Sequence, residues 1–319
     1  MSNFRKPSFD MKRQISKLEE RGLIIKDKTK TRHYLANISY FRLSAYAIPF
    51  YIPAQKVKHF LPNTEFNDIL SLYVFDRELR LIILDAIERI EVALRAQLGN
   101  TLADNYGPHG YLNSAIFNTN YAHDWLMDKL EREGEKREVE VFLKHYLSKY
   151  PSSPKQPPIW MALELLTFSE VSRLFANLRE TQDISPIEQS FGLKMPVLRS
   201  WFRSLADLRN LCAHHSRVWN REFGTRPMIP KNKPQNWPSI PVTISSGSSS
   251  SPLQEIAPIN RLYFQLVIIE SLMRVIAPTS RWSVRLIALL DKNTNISLPH
   301  MGFPPNWKSE SFWRIALNG

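Results

Sequence analysis

The chain is predicted to be all-α, a helical bundle, and three observations predict it. Apolar residues recur at three- and four-residue steps over long stretches, the period of an amphipathic helix. Glycine is scarce, with ten residues in 319, against the usage of about 7% typical of proteins. That scarcity argues against all-β and glycine-loop nucleotide-binding architectures. Finally, the stretch Ile259 to Ile276 is apolar on most sides (Leu262, Tyr263, Leu266, Val267, Ile268, Ile269, Leu272), so it must be buried. Its natural host is a bundle built by the preceding helices. A hydrophobic content of 43% and eight tryptophans exclude a disordered chain. The length suffices for a sizeable core and by itself suggests about two domains.

Residues 8–27 read as a short helix that Ser8 caps before Phe9, Ile15 and Leu18, and that ends at Arg21-Gly22. A second helical stretch begins near Thr31 and carries Tyr34, Ile38, Tyr40, Phe41, Arg42 and Tyr46. Its interleaved aromatic and basic residues suit stacking bases and gripping phosphates. A small aromatic core with arginine stems packed over it gives the same pattern. Residues 65–100 form the longest expected helix, with Ile69, Leu72, Tyr73, Asp76, Leu79, Ile83, Ile87, Ile90 and Leu94 along one face. Helices at about 121–149, 159–180 and 195–219 follow, and a last one at about 281–291 precedes an aromatic tail with Trp307, Phe312 and Trp313. The charged run Glu131 to Glu140 reads as a solvated face.

The clearest break is 226–258, which holds seven of the 22 prolines and the run from Ser245 to Ser251. It is predicted to be a flexible excursion, dispensable for folding. The expected organisation is an N-terminal helical extension at 1–60 with RNA-contacting potential, and a helical core at 61–225 plus 259–319 that includes a C-terminal helical segment.

A formal charge of +12 suggests a polyanionic partner, with nucleic acid first and an acidic membrane second. A soluble basic surface without a ligand is the plainer alternative. A single cysteine, Cys212, rules out an intramolecular disulfide and a thiolate zinc cage. No run of 18 apolar residues or secretory leader is visible, so a cytoplasmic protein without a membrane partner is expected. No metal site and no cofactor are predicted. The carboxylates Asp85, Glu88 and Glu91 recur at three-residue steps, but no histidine or cysteine completes a ligand set. Glu91 is expected to pair with Arg95 at i,i+4. Glu88 or Glu91 is expected to neutralise Arg209 across the bundle.

The most informative stretch is Arg209-Asn210-Leu211-Cys212-Ala213-His214-His215. Upstream, Leu198, Trp201, Phe202, Leu205, Leu208 and Cys212 mark the buried stripe of a helix. Arg209 falls inside that stripe. His214 sits roughly 140° around and about 7.5 Å along the axis. A long arginine beside a core stripe needs a partner or an anion. Arginine with histidine fits chemistry on a phosphate, one neutralising charge and the other moving protons. Asn210, one turn before His214, is placed to orient the imidazole or to contact a ribose. His215 lies nearer the apolar stripe and reads as structural or auxiliary. The spacing alone favours the plainer reading, an arginine paired with a carboxylate beside an ordinary surface histidine.

Arg209 with His214 forms the R-x4-H signature of HEPN ribonucleases. The longer run from Ser200 to Leu205 and from Arg209 to Arg221 resembles the Abi family of phage abortive-infection proteins. Three further blocks agree: Tyr40-Phe41-Arg42-Leu43-Ser44-Ala45-Tyr46, then Tyr73 to Arg95, then Met301-Gly302-Phe303-Pro304-Pro305-Asn306-Trp307. Ala45 stands where the pattern has glycine, and Thr167-Phe168-Ser169-Glu170 is less turn-like than the pattern. The resemblance implies a HEPN-like bundle and a metal-independent endoribonuclease toxin of phage defence or a toxin–antitoxin pair. Arg209, His214 and Asn210 would be its catalytic residues, and His215, Glu88, Glu91 and Arg95 auxiliary. Tyr40, Arg42, Tyr46, Arg217 and Arg221 are candidates for RNA contact. RNA, an antitoxin RNA or protein, and a second copy of the chain are the implied partners, because one R-x4-H supplies only one readily assigned histidine. Two other classes remain open: a non-catalytic RNA- or DNA-binding regulator using the same cleft, and a protein-interaction module sensing a phage component.

Overall fold

A computed structural model describes residues 7–240 and 260–318. Its regular elements are all helical, with no named strand among the described residues. The long helix α4 (Phe66–Tyr106) is the axis of the bundle. Its apolar residues bury completely where α4 is surrounded: Leu79, Ile83, Ile87, Ile90, Leu94 and Leu98. Helices α8 (Phe168–Ala176), α9 (Thr181–Phe191), α10 (Met195–Ala213), α11 (Leu262–Ile276) and α12 (Trp282–Lys292) pack around it. At roughly 1.5–3 kcal/mol for each fully buried large apolar side chain, this axis supplies much of the folding free energy. The buried apolar cluster is continuous from Ile15 to Trp313, so the N-terminal and C-terminal helices share the core of the middle ones.

The N-terminal part is divided more finely than its periodicity predicts. Helix α1 (Met11–Glu20) is capped by Asp10, whose carboxylate accepts from the Arg13 amide, and not by Ser8. The stretch from Thr31 to Tyr46 is two helices, α2 (Lys28–Ile38) and α3 (Tyr40–Ser44), broken at Ser39, which has φ +76° and caps α3. A left-handed residue cannot continue a helix, and a three- to four-residue apolar step runs through such a break unchanged. The expected helix at 121–149 is likewise two, α5 (His123–Gly134) and α6 (Val141–Lys149). Short α7 (Ile159–Ala162) and a 3-10 turn precede α8. Helix α9 was not expected; it carries Pro186 inside, a residue that lacks an amide donor and argues locally against a helix. Its buried Asp183 accepts from Asn105 and Tyr106 at the end of α4, at 2.8 and 2.9 Å.

The stretch expected to be a flexible excursion begins as docked chain. Trp237 stacks on Trp201 at a 6.0 Å centroid separation and meets Phe264 edge-on. The Met228 amide donates to Ser200 Oγ, and its carbonyl accepts from Trp201 Nε1, both at 2.8 Å. Proline content measures stiffness and not the absence of packing, so 226–240 corrects that expectation. Ser245 to Ser251 lie outside the described residues. The C-terminal block closes through α13 (Ser311–Asn318) and Gly302. Gly302 has φ +90°, and a Cβ there would stand 2.7 Å from Arg261 Cβ, so no other residue fits without movement.

Candidate active site at the end of helix α10

Helix α10 ends at Ala213 in a Schellman arrangement, which decides where both histidines go. The His215 amide donates to the Cys212 carbonyl and the Ser216 amide to the Leu211 carbonyl, at 3.1 and 2.9 Å. His215 has φ +57°, the left-handed residue that such a cap requires and that is usually glycine. His214, the capping residue, is exposed and lines a cleft of about 340 Å³ with Asn210, Asp207, Arg221 and Thr225. Asn210 does not hydrogen-bond the imidazole. Its side-chain amide donates to Ser169 Oγ at 3.3 Å, and its backbone carbonyl accepts from the His214 amide at 2.9 Å. The expectation that the Asn210 amide orients the His214 imidazole is therefore corrected: that amide is engaged with Ser169.

His215→Gly tests whether the second histidine serves by its backbone alone. Glycine relieves a left-handed cost of about 1–2 kcal/mol and adds about 0.5–1 kcal/mol of unfolded-state entropy. Stability is expected to stay level or rise by up to about 1 kcal/mol in urea titration. A variant that is as stable but unable to act on RNA would move the His215 imidazole into the chemistry.

Arg209 is half-buried and is not among the residues that line the His214 cleft. Its nearest polar partner is Asn210 Oδ1 at 3.5 Å, long for a hydrogen bond. No ion pair among the described residues involves it. The expectation that Glu88 or Glu91 neutralises Arg209 is therefore corrected. Glu88 is exposed. Glu91 pairs with Arg95, as the i,i+4 spacing predicts, and Arg95 also donates to the carbonyls of Leu163 and Leu166. Glu91 and Arg95 thus anchor the turn before α8, whose Ser169 meets Asn210. Thr167-Phe168-Ser169-Glu170 has a structural purpose here: Thr167 and Glu170 form a capping box at the start of α8.

The loop after α10 is held by a buried network around Asp76. This carboxylate, fully buried, accepts from Tyr46 Oη at 2.7 Å, from the Val218 and Trp219 amides at 3.1 and 2.7 Å, and from Arg80. Burial pushes the Asp76 carboxyl up from the ordinary carboxylate range, while those donors pull it back. Arg80 also reaches the Ser216 carbonyl at 3.5 Å. From α3, Arg42 donates to the His215 carbonyl at 2.7 Å, and Arg217 donates to the Ala45 carbonyl at 2.7 Å. Ala45 has φ −70°, so alanine replaces glycine there without strain.

Several residues expected to contact RNA therefore have other work. Tyr46 is buried at 1% exposure, out of reach of any polymer. Tyr40 accepts from Arg21 at 3.1 Å. Arg42 and Arg217 brace the loop, and Arg221, which donates to the Arg217 carbonyl at 3.3 Å, alone of this group lines the His214 cleft. The sequence reading took Asp76 only as a member of a helix face and gave Arg80 no role. Their signal was an acid and an arginine at i,i+4 within an otherwise apolar stripe.

Cys212 is buried beneath the site, and burial pushes its thiol up to about 12. It is not a thiolate nucleophile at neutral pH. Its modification by a maleimide is expected to proceed about 10³-fold or more slower than that of a free thiol, at the rate set by unfolding. Fast labelling of native protein would contradict its burial. Among the described residues no group of three or more His, Cys, Asp or Glu side chains is clustered to hold a metal ion, and no helix is long and apolar enough to cross a membrane.

No curated protein and no solved structure is matched by the chain. The model of the family described as Abi-like protein does match, over residues 33–220. That span is more than half of the chain and takes in α3, the Asp76 network, α10 and both histidines, closing one residue after the Trp219 amide that Asp76 holds. The protein belongs to the Abi-like family.

Proposed function

We propose that this protein is a metal-independent endoribonuclease that acts as a toxin in phage defence, with Arg209 and His214 as its reacting groups. Membership of the Abi-like family points to abortive infection. The observation that carries the chemistry lies at the end of α10: an exposed histidine that lines a cleft and, five residues before it and off that lining, a half-buried arginine to which no carboxylate is paired among the described residues. An arginine kept beside the core without a counter-charge is ready for an anion.

The reaction that suits these groups is transfer within the RNA backbone. His214 takes the proton of a ribose 2′-hydroxyl as its oxygen bonds to the neighbouring phosphorus, and the bond to the 5′-oxygen breaks. An acid returns a proton to that leaving oxygen. Arg209 stabilises the charge on the non-bridging oxygens. One chain lines its cleft with His214 and not with Arg209, so a twofold dimer would bring a second R-x4-H to the same phosphate and provide the acid. The products are a 2′,3′-cyclic phosphate and a 5′-hydroxyl. Cleavage in EDTA with those ends is the expected result. Magnesium-dependent products with 3′-hydroxyl ends would reject the mechanism.

The separation of Arg209 from the His214 cleft within one chain also fits a non-catalytic nucleic-acid-binding regulator. That reading expects His214→Ala to leave both RNA affinity and any effect on growth unchanged.

A further inference from the structure

The His214 cleft does not end at α10's last turn. It shares Gly224 and Thr225 with a second cavity of about 560 Å³, lined by Arg199, Arg203 and Arg226. That cavity in turn shares Pro196 and Met228 with a third, of about 700 Å³, which reaches Lys194 and Lys231. The three form one trough whose walls are the outer face of α10, the C-terminal end of α9 and the docked segment 221–232. Trp201 and Ser200, by their bonds to Met228, hold the far wall in place.

Asp207 and Glu222 line the His214 end of this trough and Glu188, paired with Lys194, the far end, but the middle cavity carries three arginines and no carboxylate. Arg199 and Arg203 stand at i,i+4 on α10, a like-charge spacing that costs a helix a few tenths of a kcal/mol. Both are exposed, as is Arg226 opposite. None of the three has an ion pair or a side-chain hydrogen bond among the described residues. Asp207, one turn beyond Arg203 and the natural partner, instead accepts from the Thr225 hydroxyl. Three arginines that line one concave wall without a bonded partner among the described residues are a site for successive phosphates.

We propose that this trough is the track of a single nucleic-acid strand, with Arg199, Arg203 and Arg226 on its phosphates and His214 at its end. From Arg199 to His214 the helix runs about 22 Å, which a stacked strand covers in about six nucleotides at 3.4 Å each. Cavities of a few hundred Å³ in series admit one strand. A duplex, whose major groove alone is about 12 Å across, would have to lie outside them. The track deepens the ribonuclease reading by naming how substrate reaches His214, but binding along it does not depend on cleavage.

The test uses the full chain and a fluorescent 2′-O-methyl oligouridine of about twelve nucleotides, which lacks the 2′-hydroxyl nucleophile. Binding is followed by anisotropy across a salt series. Replacing Arg199, Arg203 and Arg226 together with glutamine should flatten the slope of log affinity against log salt by about 2, near 0.7 for each phosphate released. The same loss of charge at Arg137, Lys144 and Lys149, exposed around α5 and α6 and outside the trough, should leave the slope unchanged. An unchanged slope in the trough variant, an equal loss in the control, or tighter binding of a duplex would each overturn the track. A flattened slope in a protein that never cleaves RNA would sustain the track and remove the ribonuclease reading instead.

Discussion

Asp76→Ala is expected to destabilise the protein by about 3–5 kcal/mol, enough to unfold a large fraction of a domain whose total stability is about 5–15 kcal/mol. Asp76 is fully buried and Arg80 is 4% exposed. Removing the carboxylate leaves a buried guanidinium unpaired and strips the Val218 and Trp219 amides of their acceptor. The stranded amides are part of that cost, at about 1–3 kcal/mol each before the loop moves to reach water. Asp76→Asn should be milder, because an amide oxygen still accepts from the backbone and burial already disfavours the charged carboxyl. The sign of the pH dependence follows. A carboxyl raised in the fold contributes its stability below its unfolded value, and that contribution fades as pH rises through the raised one, so acid does not loosen the loop through Asp76. Urea titration of the three proteins measures the series. A midpoint for Asp76→Ala within about 1 kcal/mol of wild type would mean that the network is not the anchor described.

His214→Ala is expected to lower RNA cleavage by about 10²–10⁴-fold while stability changes by no more than about 0.5 kcal/mol. The two readouts separate because the imidazole is exposed and makes no hydrogen bond among the described residues, whereas its backbone, which alanine keeps, caps α10. Arg209→Ala should cost about 10²–10³-fold, the range for one charge-stabilising donor. Single-turnover rates together with urea midpoints make the comparison. In a composite site that takes arginine from one copy and histidine from the other, mixing the two variants restores one intact pairing and cleavage reappears. If both histidines are needed at once, the mixture stays dead, and excess variant suppresses wild type more than dilution does. Activity that falls only in proportion to wild-type content, from a species that sediments as a monomer, would refute the shared site and leave His215 as the second proton-transfer group.

Several features of the fold were legible because they depend on neighbours in sequence. The apolar step along α4 and α10 reports which face is buried whatever covers it, so both helices appear close to their expected spans. The all-apolar α11 had to be interior. Glu91 with Arg95 is a one-turn pair and appears where the spacing puts it. Ser39, Pro186 and Trp237 went the other way, since each is decided by contacts that local patterning does not encode.

For the site, the sequence by itself determined that an arginine, an asparagine and two histidines crowd the end of a buried-stripe helix, and that the chain carries an unusual positive charge. Only the tertiary structure decided what each basic residue is for. Arg42 and Arg217 are spent on backbone carbonyls across some 170 residues of chain, Arg80 on a buried carboxylate, and Arg199, Arg203 and Arg226 on nothing among the described residues. The physical reason is that an arginine is long and makes several hydrogen bonds, so its partner is set by what the fold brings within its reach and not by the residues beside it.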